Sequence, residues 1–171
     1  AQIAECKALN PNARVIYILR DPLARAVSAV RMHMLWHFGK DHSEALHLDA
    51  TLHKFVQDAR LAQHGDYVAN IARWRRYYPD LLLLNYEDFH TDRAASLTRI
   101  WQALGLDPGE IPAAGQARLD RLMGSRVWAS EPFAIDRAVL LFLQGYTWPF
   151  REDCARELNL RFAEGDRLLQ G

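Results

Sequence analysis

The chain has few cysteines, no excess of either charge and no long apolar run, and each absence excludes a class of protein. Its two cysteines, Cys6 and Cys154, lie far apart and match no metal-binding or redox spacing. A disulfide scaffold is therefore excluded, and a reducing compartment, the cytoplasm, is expected. No apolar run approaches the ~18–20 residues that cross a bilayer, and no basic segment followed by an apolar core opens the chain. We expect neither a membrane span nor an export signal.

The charge balance argues against a polyanionic partner. Lysine and arginine number 21, aspartate and glutamate also number 21, and the formal net charge is zero. Any anion site must therefore be built by local arrangement, and binding of extended DNA or RNA is not expected. The 171 residues also contain no internal repeat, low-complexity tract or linker, which predicts one domain over residues 1–171.

Two familiar ligand-binding patterns are missing. The glycine-rich phosphate loop Gly-x-x-x-x-Gly-Lys-[Ser/Thr] does not occur, and Gly39-Lys40 is followed by an aspartate in a predicted loop. His33 and His37 have zinc-ligand spacing on a predicted helix, but the internal glutamate of a His-Glu-x-x-His motif is absent. No third ligand has a telling spacing, so we predict no metal site.

Two short apolar runs predict the strands of a parallel sheet. Val15–Leu19 is β-branched and almost continuously apolar, which is typical of a strand buried on both faces. Leu81–Asn85 has the same character, and we expect the two strands to lie side by side. Asp21 followed by Pro22 predicts a capped helix directly after the first strand. The fold class is therefore a helix-rich α/β fold with a parallel sheet.

The remaining patterns predict helices separated by two loops. The helices are expected over residues 3–9, 22–36, 51–64, 67–78, 91–104, 135–145 and 150–169, with loops at 38–50 and 107–132. Either Thr91 or Asp92 caps the fifth helix, and Gly105 ends it.

Glu87 and Asp88 follow the second strand, and their carboxylates suggest a general base. Capping, or pairing with arginines near Arg20, is the preferred interpretation.

A candidate anion site follows the first strand. In open α/β sheets, ligands collect beyond the carboxyl ends of the strands, and a helix N-terminus there offers free N–H groups. Arg20 lies at the strand end, Arg25 in the first turns of the helix, and Ser28 on a neighbouring position of the same face. Taken singly, each has a plain structural explanation, such as a solvated arginine or a packed serine. Together they predict a phosphate site.

The segment Leu19–Ser28 resembles the 3′-phosphate-binding element of the PAPS-dependent sulfotransferases, PAPS being 3′-phosphoadenosine 5′-phosphosulfate. In that family an arginine at a strand end and a serine eight residues later hold the 3′-phosphate of the donor. Arg20 and Ser28 meet this spacing, and Arg25 is an additional candidate. The form with Pro22 and Arg25 is most similar to the bacterial and heparan-sulfate-type branches.

The resemblance also implies what else belongs to the site. In the family a basic loop in the region of Gly124–Arg126 closes over the nucleotide. The usual Lys-Gly signature is absent here, and Arg126 is carried over as a candidate. The family's phosphosulfate loop and its usual catalytic base precede the matching region. We therefore expect a P-loop-type three-layer α/β sulfotransferase domain that is incomplete at its N-terminus, and we assign no catalytic residue.

The implied reaction is in-line transfer of a sulfuryl group from PAPS to a hydroxyl or amine. The acceptor, whether carbohydrate, lipid or another small molecule, and the oligomeric state are left open by the sequence. One alternative is a non-catalytic nucleotide- or protein-binding remnant of the fold. A kinase-like phosphate-loop protein is a further alternative, which the missing glycine-rich loop disfavours.

Overall fold

The computed structural model describes residues 2–38, 55–57, 60–124 and 135–170. The strands are β1 (Ile16–Leu19) and β2 (Leu82–Asn85). The helices are α1 (Gln2–Leu9), α2 (Pro22–Phe38), α3 (Leu61–Gly65), α4 (Tyr67–Arg75), α5 (Tyr86–Thr91), α6 (Arg93–Leu104), α7 (Ala113–Gly124), α8 (Arg137–Leu158) and α9 (Glu164–Gln170), with a 3₁₀ turn at Pro108–Glu110. Of the loop predicted over 38–50, Phe38 is instead the last residue of α2, and residues 39–50 lie outside the described part.

The chain divides into two compact units. One comprises Ala1–Leu19 and Ile71–Ala129, and the other comprises Arg20–Asn70 and Ser130–Gly171. None of the described helices combines the length and the hydropathy needed to span a bilayer.

The sheet belongs to the first unit. β1 and β2 pair in parallel, with Ile16 opposite Leu82 and Leu19 opposite Asn85. The predicted parallel α/β arrangement is confirmed. The prediction that β1 is buried on both faces is wrong, because Ile18 is 53% exposed while Leu19 is fully buried. Among the described residues the sheet has two strands, and the exposure of Ile18 shows that one face of β1 is partly open to solvent.

The second unit is a helical core built on α2. This helix packs mainly against α8, with α3 and α9 on its flanks. The buried side chains of the core are aliphatic or aromatic: Leu23, Ala26, Val27, Val30, Phe55, Val56, Leu61, Val139 and Leu143. The residues that α2 contributes to this core recur at helical spacing, so they lie on one face of the helix.

The helix predicted over residues 51–64 is not continuous. Residues 55–57 are helical, but Arg60 has a φ of 50°, in the left-handed region, and α3 starts at the next residue. A left-handed residue ends a right-handed helix because its carbonyl turns away from the helical ladder. The chain therefore begins a new helix at Leu61. Residues 51–54 and 58–59 lie outside the described part.

A helix occupies much of the predicted loop over residues 107–132. α7 covers Ala113–Gly124, whose alanine, glutamine, arginine and leucine residues are good helix formers. Glycine, proline and alanine are frequent around this segment, which favoured a loop. Pro112 precedes α7 and Gly124 is its last residue, so neither interrupts the helix. The loop prediction is wrong for these twelve residues.

The C-terminal region also differs from the prediction of two helices that break near Gly145. α8 runs through Gly145 and Pro149 without interruption. Proline removes one backbone donor from the helix and leaves the carbonyl four residues earlier without its N–H. Both Gly145 and Pro149 are exposed, so water can reach that carbonyl. α8 ends at Asn159, which is left-handed with a φ of 52°, and α9 follows after a short turn.

Asp92, not Thr91, caps α6. The carboxylate of Asp92 accepts a hydrogen bond from the backbone N–H of Ala95 at 2.9 Å, and Gly105 ends the helix with a φ of 69°. Thr91 instead belongs to α5, where its hydroxyl donates to the carbonyl of Glu87. Glu87 and Asp88 lie in the first turn of α5, which starts ahead of the helix predicted from residue 91, and the N-cap of α5 is Asn85, whose side chain accepts the N–H of Glu87.

Replacing Asp92 by alanine is expected to lower the free energy of unfolding by about 1 kcal/mol, because an orphan N–H group loses its acceptor. Thr91→Ala is the matched control and is expected to have a smaller effect, since the Thr91 hydroxyl caps no helix N-terminus. Urea denaturation followed by circular dichroism measures both variants. Equal losses would contradict the assignment of the cap.

Candidate anion-binding site at the start of α2

A buried carboxylate organises the turn that leads into α2. Asp21 is fully buried, and its Oδ1 accepts hydrogen bonds from the backbone N–H groups of Leu23 at 2.8 Å and Ala24 at 3.4 Å. Its Oδ2 accepts the N–H of Gly165, in the first turn of α9, at 2.8 Å. The predicted cap with Pro22 as first helical residue is confirmed. The carboxylate also joins α2 to a helix near the end of the chain.

Arg151 supplies the positive charge for this carboxylate. Its Nη2 lies 3.2 Å from Asp21 Oδ2 and 2.9 Å from Asp166 Oδ1, and it donates to the carbonyl of Phe162 at 2.8 Å. The guanidinium of Arg151 also lies 6.0 Å from the ring centroid of Trp148. One arginine of α8 thus fixes both the cap of α2 and the start of α9, because a buried charge needs an opposite charge and hydrogen bonds.

Arg20 lies directly after β1 and carries an anion in its fork. Nε donates to Glu164 Oε2 at 2.9 Å, and Nη2 donates to Glu164 Oε1 at 2.5 Å. The two side chains are 28% and 23% exposed. Two parallel bonds of this kind are the geometry in which arginine binds carboxylate or phosphate. The guanidinium is therefore oriented for a two-oxygen anion.

A second arginine lies within electrostatic reach of Arg20. Burial, and then the positive charge of Arg20, lower the pKa of Arg31. Ser28 is half-buried and lies three residues before Arg31 on α2, so the two occupy neighbouring positions of one helix face. The charge of Arg31 thus reaches Arg20, and the predicted joining of Arg20 and Ser28 in one phosphate site stays a prediction. Sequence reasoning did not single out Arg31.

Arg25 acts on a different neighbour. Burial and the positive charges of Arg25 and Arg60 lower the pKa of His64, which lies on α3. The charge of Arg25 thus acts on a residue of α3. The assignment of Arg25 to the phosphate site stays a prediction. Arg126 lies outside the described residues, and its assignment also stays a prediction.

Glu164 and Arg151 are the functional neighbours that sequence reasoning missed. Glu164 lies 144 positions from Arg20 in the chain. The only local signal was the acidic pair around Gly165, which is typical of a helix start. Nothing in that signal indicates which arginine the glutamate faces. Arg20 pairs with Glu164, and the preferred pairing of the acids after β2 with arginines near Arg20 stays a prediction.

A cavity of about 190 Å³ lies elsewhere, in the first unit near the amino ends of the strands. It is lined by α1, the turn into β1 and residues 78–81. Its lysine, Lys7, donates to the carbonyl of Pro11 at 2.6 Å and lies 4.6 Å from the ring centroid of Tyr78. The cavity contains none of the predicted site residues. Within the described ranges, no group of three or more histidine, cysteine, aspartate or glutamate side chains is arranged to hold a metal ion.

The parallel strand pair and the capped helix that follows β1 in the chain define an α/β domain, in which the fork of Arg20 is a candidate anion site. Comparison with protein families identifies the domain further. Residues 2–121 match the sulfotransferase domain family, a match that covers about seven-tenths of the chain. The chain therefore belongs to the sulfotransferase domain family. No curated protein matches it.

Gly165→Ala is expected to destabilise the junction of α2 and α9. A Cβ at this position would lie 2.6 Å from Asp21 Oδ2 and 2.8 Å from Oδ1, too close for any carbon. We expect a loss of roughly 1–3 kcal/mol in the free energy of unfolding. Gly145→Ala is the control, because nothing lies within 4 Å of its added Cβ. It is expected to stabilise α8 by about 0.5–1 kcal/mol. A stable Gly165→Ala variant would contradict the close packing.

Cys154 is expected to resist alkylation in the folded protein. Burial, and then the charges of Asp153, Asp66 and Asp21, raise the pKa of its thiol to about 12. The unfolded thiol ionises near pH ~8.5, so the unfolded state loses its proton first. The free energy of unfolding should therefore fall as pH rises from there toward 12, and this part of the slope should vanish in Cys154→Ala.

Iodoacetamide labelling at pH ~8, read by mass spectrometry, tests the resistance of Cys154 to alkylation. Cys6 is exposed and serves as the internal control. Equal labelling would contradict the burial of Cys154.

Proposed function

We propose that this chain carries the 3′-phosphate-binding part of a sulfotransferase that takes its sulfuryl group from PAPS. The donor's 3′-phosphate binds to Arg20 and Ser28. The observation that supports this most directly is the orientation of Arg20, whose fork holds two carboxylate oxygens at 2.5 and 2.9 Å. A phosphate monoester offers oxygens in the same bidentate arrangement. Membership of the sulfotransferase domain family supplies the reaction class.

The residues are positioned for binding rather than for proton transfer. Arg20 supplies a permanent charge and two directed N–H groups, and Ser28 supplies a hydroxyl on the helix that Asp21 caps. In the reaction the sulfuryl group leaves the donor's phosphate oxygen for a hydroxyl or amine of the acceptor, which loses a proton. The by-product, 3′-phosphoadenosine 5′-phosphate, keeps the 3′-phosphate. No residue is assigned as the base.

Several finer assignments belong to the same proposal. Pro22 and Arg25 place the chain with the bacterial and heparan-sulfate-type branches, and residues 1–171 form part of a single sulfotransferase domain. Arg25 and Arg126 are further candidates for the nucleotide. The acceptor is a small molecule, a carbohydrate or a lipid. The small number of cysteines favours a reducing, cytoplasmic setting.

The alternative function is a non-catalytic binding domain. The ion pair between Arg20 and Glu164 favours it, because a purely structural role would also satisfy the guanidinium. The two functions differ in what the protein binds. A donor site requires preference for a 3′-phosphorylated nucleotide, whereas a structural ion pair requires none.

Titration calorimetry with 3′-phosphoadenosine 5′-phosphate, AMP and ATP tests the proposal. The wild-type chain is expected to prefer the 3′-phosphorylated ligand, and Arg20→Ala to reduce that preference by about 1.5–3 kcal/mol, since one charge-assisted pair of bonds is lost. Arg20→Lys keeps the charge but not the fork, so part of the loss should remain. Arg118→Ala changes an exposed arginine of α7 and is the control. Equal affinity of wild type and Arg20→Ala for the 3′-phosphorylated ligand would remove the assignment.

A further inference from the structure

The carboxylate of Glu164 occupies Nε and Nη2 of Arg20, which form one edge of the guanidinium for a bidentate anion. Both bonds of the Arg20 fork, from Nε and from Nη2, end on Glu164 oxygens. A guanidinium edge holds one bidentate anion at a time. A phosphate that binds Arg20 in this way must therefore displace Glu164.

The backbone that carries Glu164 is fastened on both sides. Gly165 donates its N–H to buried Asp21, and Arg151 holds the carbonyl of Phe162 and the carboxylate of Asp166. None of these bonds involves the side chain of Glu164. The Glu164 side chain is 23% exposed, so rotation about its own bonds moves the carboxylate into water while α9 stays in place.

We propose that Glu164 is an internal competitor of the 3′-phosphate for Arg20, and so determines how tightly the donor and the by-product bind. This inference rests on the proposed function, because it takes Arg20 as the phosphate ligand. Glu164 lies outside residues 2–121, the part of the chain that matches the family. The competitor therefore comes from a segment outside that match.

The competition has a selective consequence. The apparent affinity of a ligand falls by the fraction of molecules in which its site is available. A ligand that needs Arg20 is weakened by the Glu164 pair, and a nucleotide without a 3′-phosphate is not. PAPS and its by-product both carry the 3′-phosphate, so both are weakened equally.

Glu164→Gln is the principal test. Glutamine keeps the length of the side chain and one acceptor oxygen but loses the charge that competes. Calorimetry is expected to show roughly tenfold tighter binding of 3′-phosphoadenosine 5′-phosphate, in keeping with the loss of one partly exposed ion pair, and AMP affinity within about twofold of wild type. Glu164→Asp keeps the charge on a shorter side chain, and it should tighten binding by a smaller factor.

Glu157→Gln is the matched control. It is the same exchange of glutamate for glutamine, but the carboxylate it removes belongs to an exposed ion pair with Arg156 on α8. Its affinity for the 3′-phosphorylated ligand should stay within about twofold of wild type. Equal tightening in both variants would overturn the proposal, because it would show a general effect of negative charge.

The remaining outcomes separate the two proposals. Unchanged or weaker binding by Glu164→Gln, with wild type still preferring the 3′-phosphorylated ligand over AMP, would overturn the role of Glu164 and leave the donor site intact. A wild-type chain without that preference would overturn the donor site, and the competitor with it.

Discussion

The buried carboxylate of Asp21 is the constraint on which the site depends. It accepts N–H groups from the first turn of α2 and from Gly165, and it faces the guanidinium of Arg151. Removing one member of a buried charge pair lowers the stability of a protein by about 3–5 kcal/mol, because the other charge stays buried without compensation. The start of α2 and the start of α9 are therefore held together as one structure. Glycine at position 165 is required, since any Cβ would meet the carboxylate.

This constraint determines where Arg20 lies and what it meets. Arg20 directly precedes the capping aspartate, so its backbone leads into the fixed start of α2. The same aspartate fixes the start of α9 and thereby places Glu164 opposite Arg20. The anion in the arginine fork is thus a consequence of the cap.

Local features could be predicted from the sequence and long-range ones could not. The strand, the aspartate cap and the proline at the first helical position all depend on a few adjacent residues, and the structure confirms each. The partner of Arg20 is 144 positions away, and many acidic residues of the chain were equally suitable partners. Only the packing of α9 selects Glu164.

The errors in the helices have the same origin. Proline at position 149 predicts a break, because its ring and missing N–H disfavour a helix interior. The break is avoided because α8 is held by contacts along its length: Val139 and Leu143 are buried in the core of the second unit, and Cys154 is buried beyond the proline. Tertiary packing outweighs a local propensity of a few kcal/mol. Exposure of Ile18 is the converse case, in which an apolar strand lacks a cover on one face.

The pairing of Arg20 with Glu164 bears on how an arginine can serve both structure and binding. Transfer of a bare guanidinium from water to a partly buried site is unfavourable, and an internal carboxylate offsets that loss in the absence of ligand. In the function that we propose, phosphate binding exchanges one anion for another, so the desolvation of Arg20 is common to both states. What differs is the charge and number of oxygens on the anion, and the nearby charge of Arg31 favours the more highly charged one. The partly buried ion pair of Arg20 and Glu164 is therefore compatible with the phosphate site that we propose.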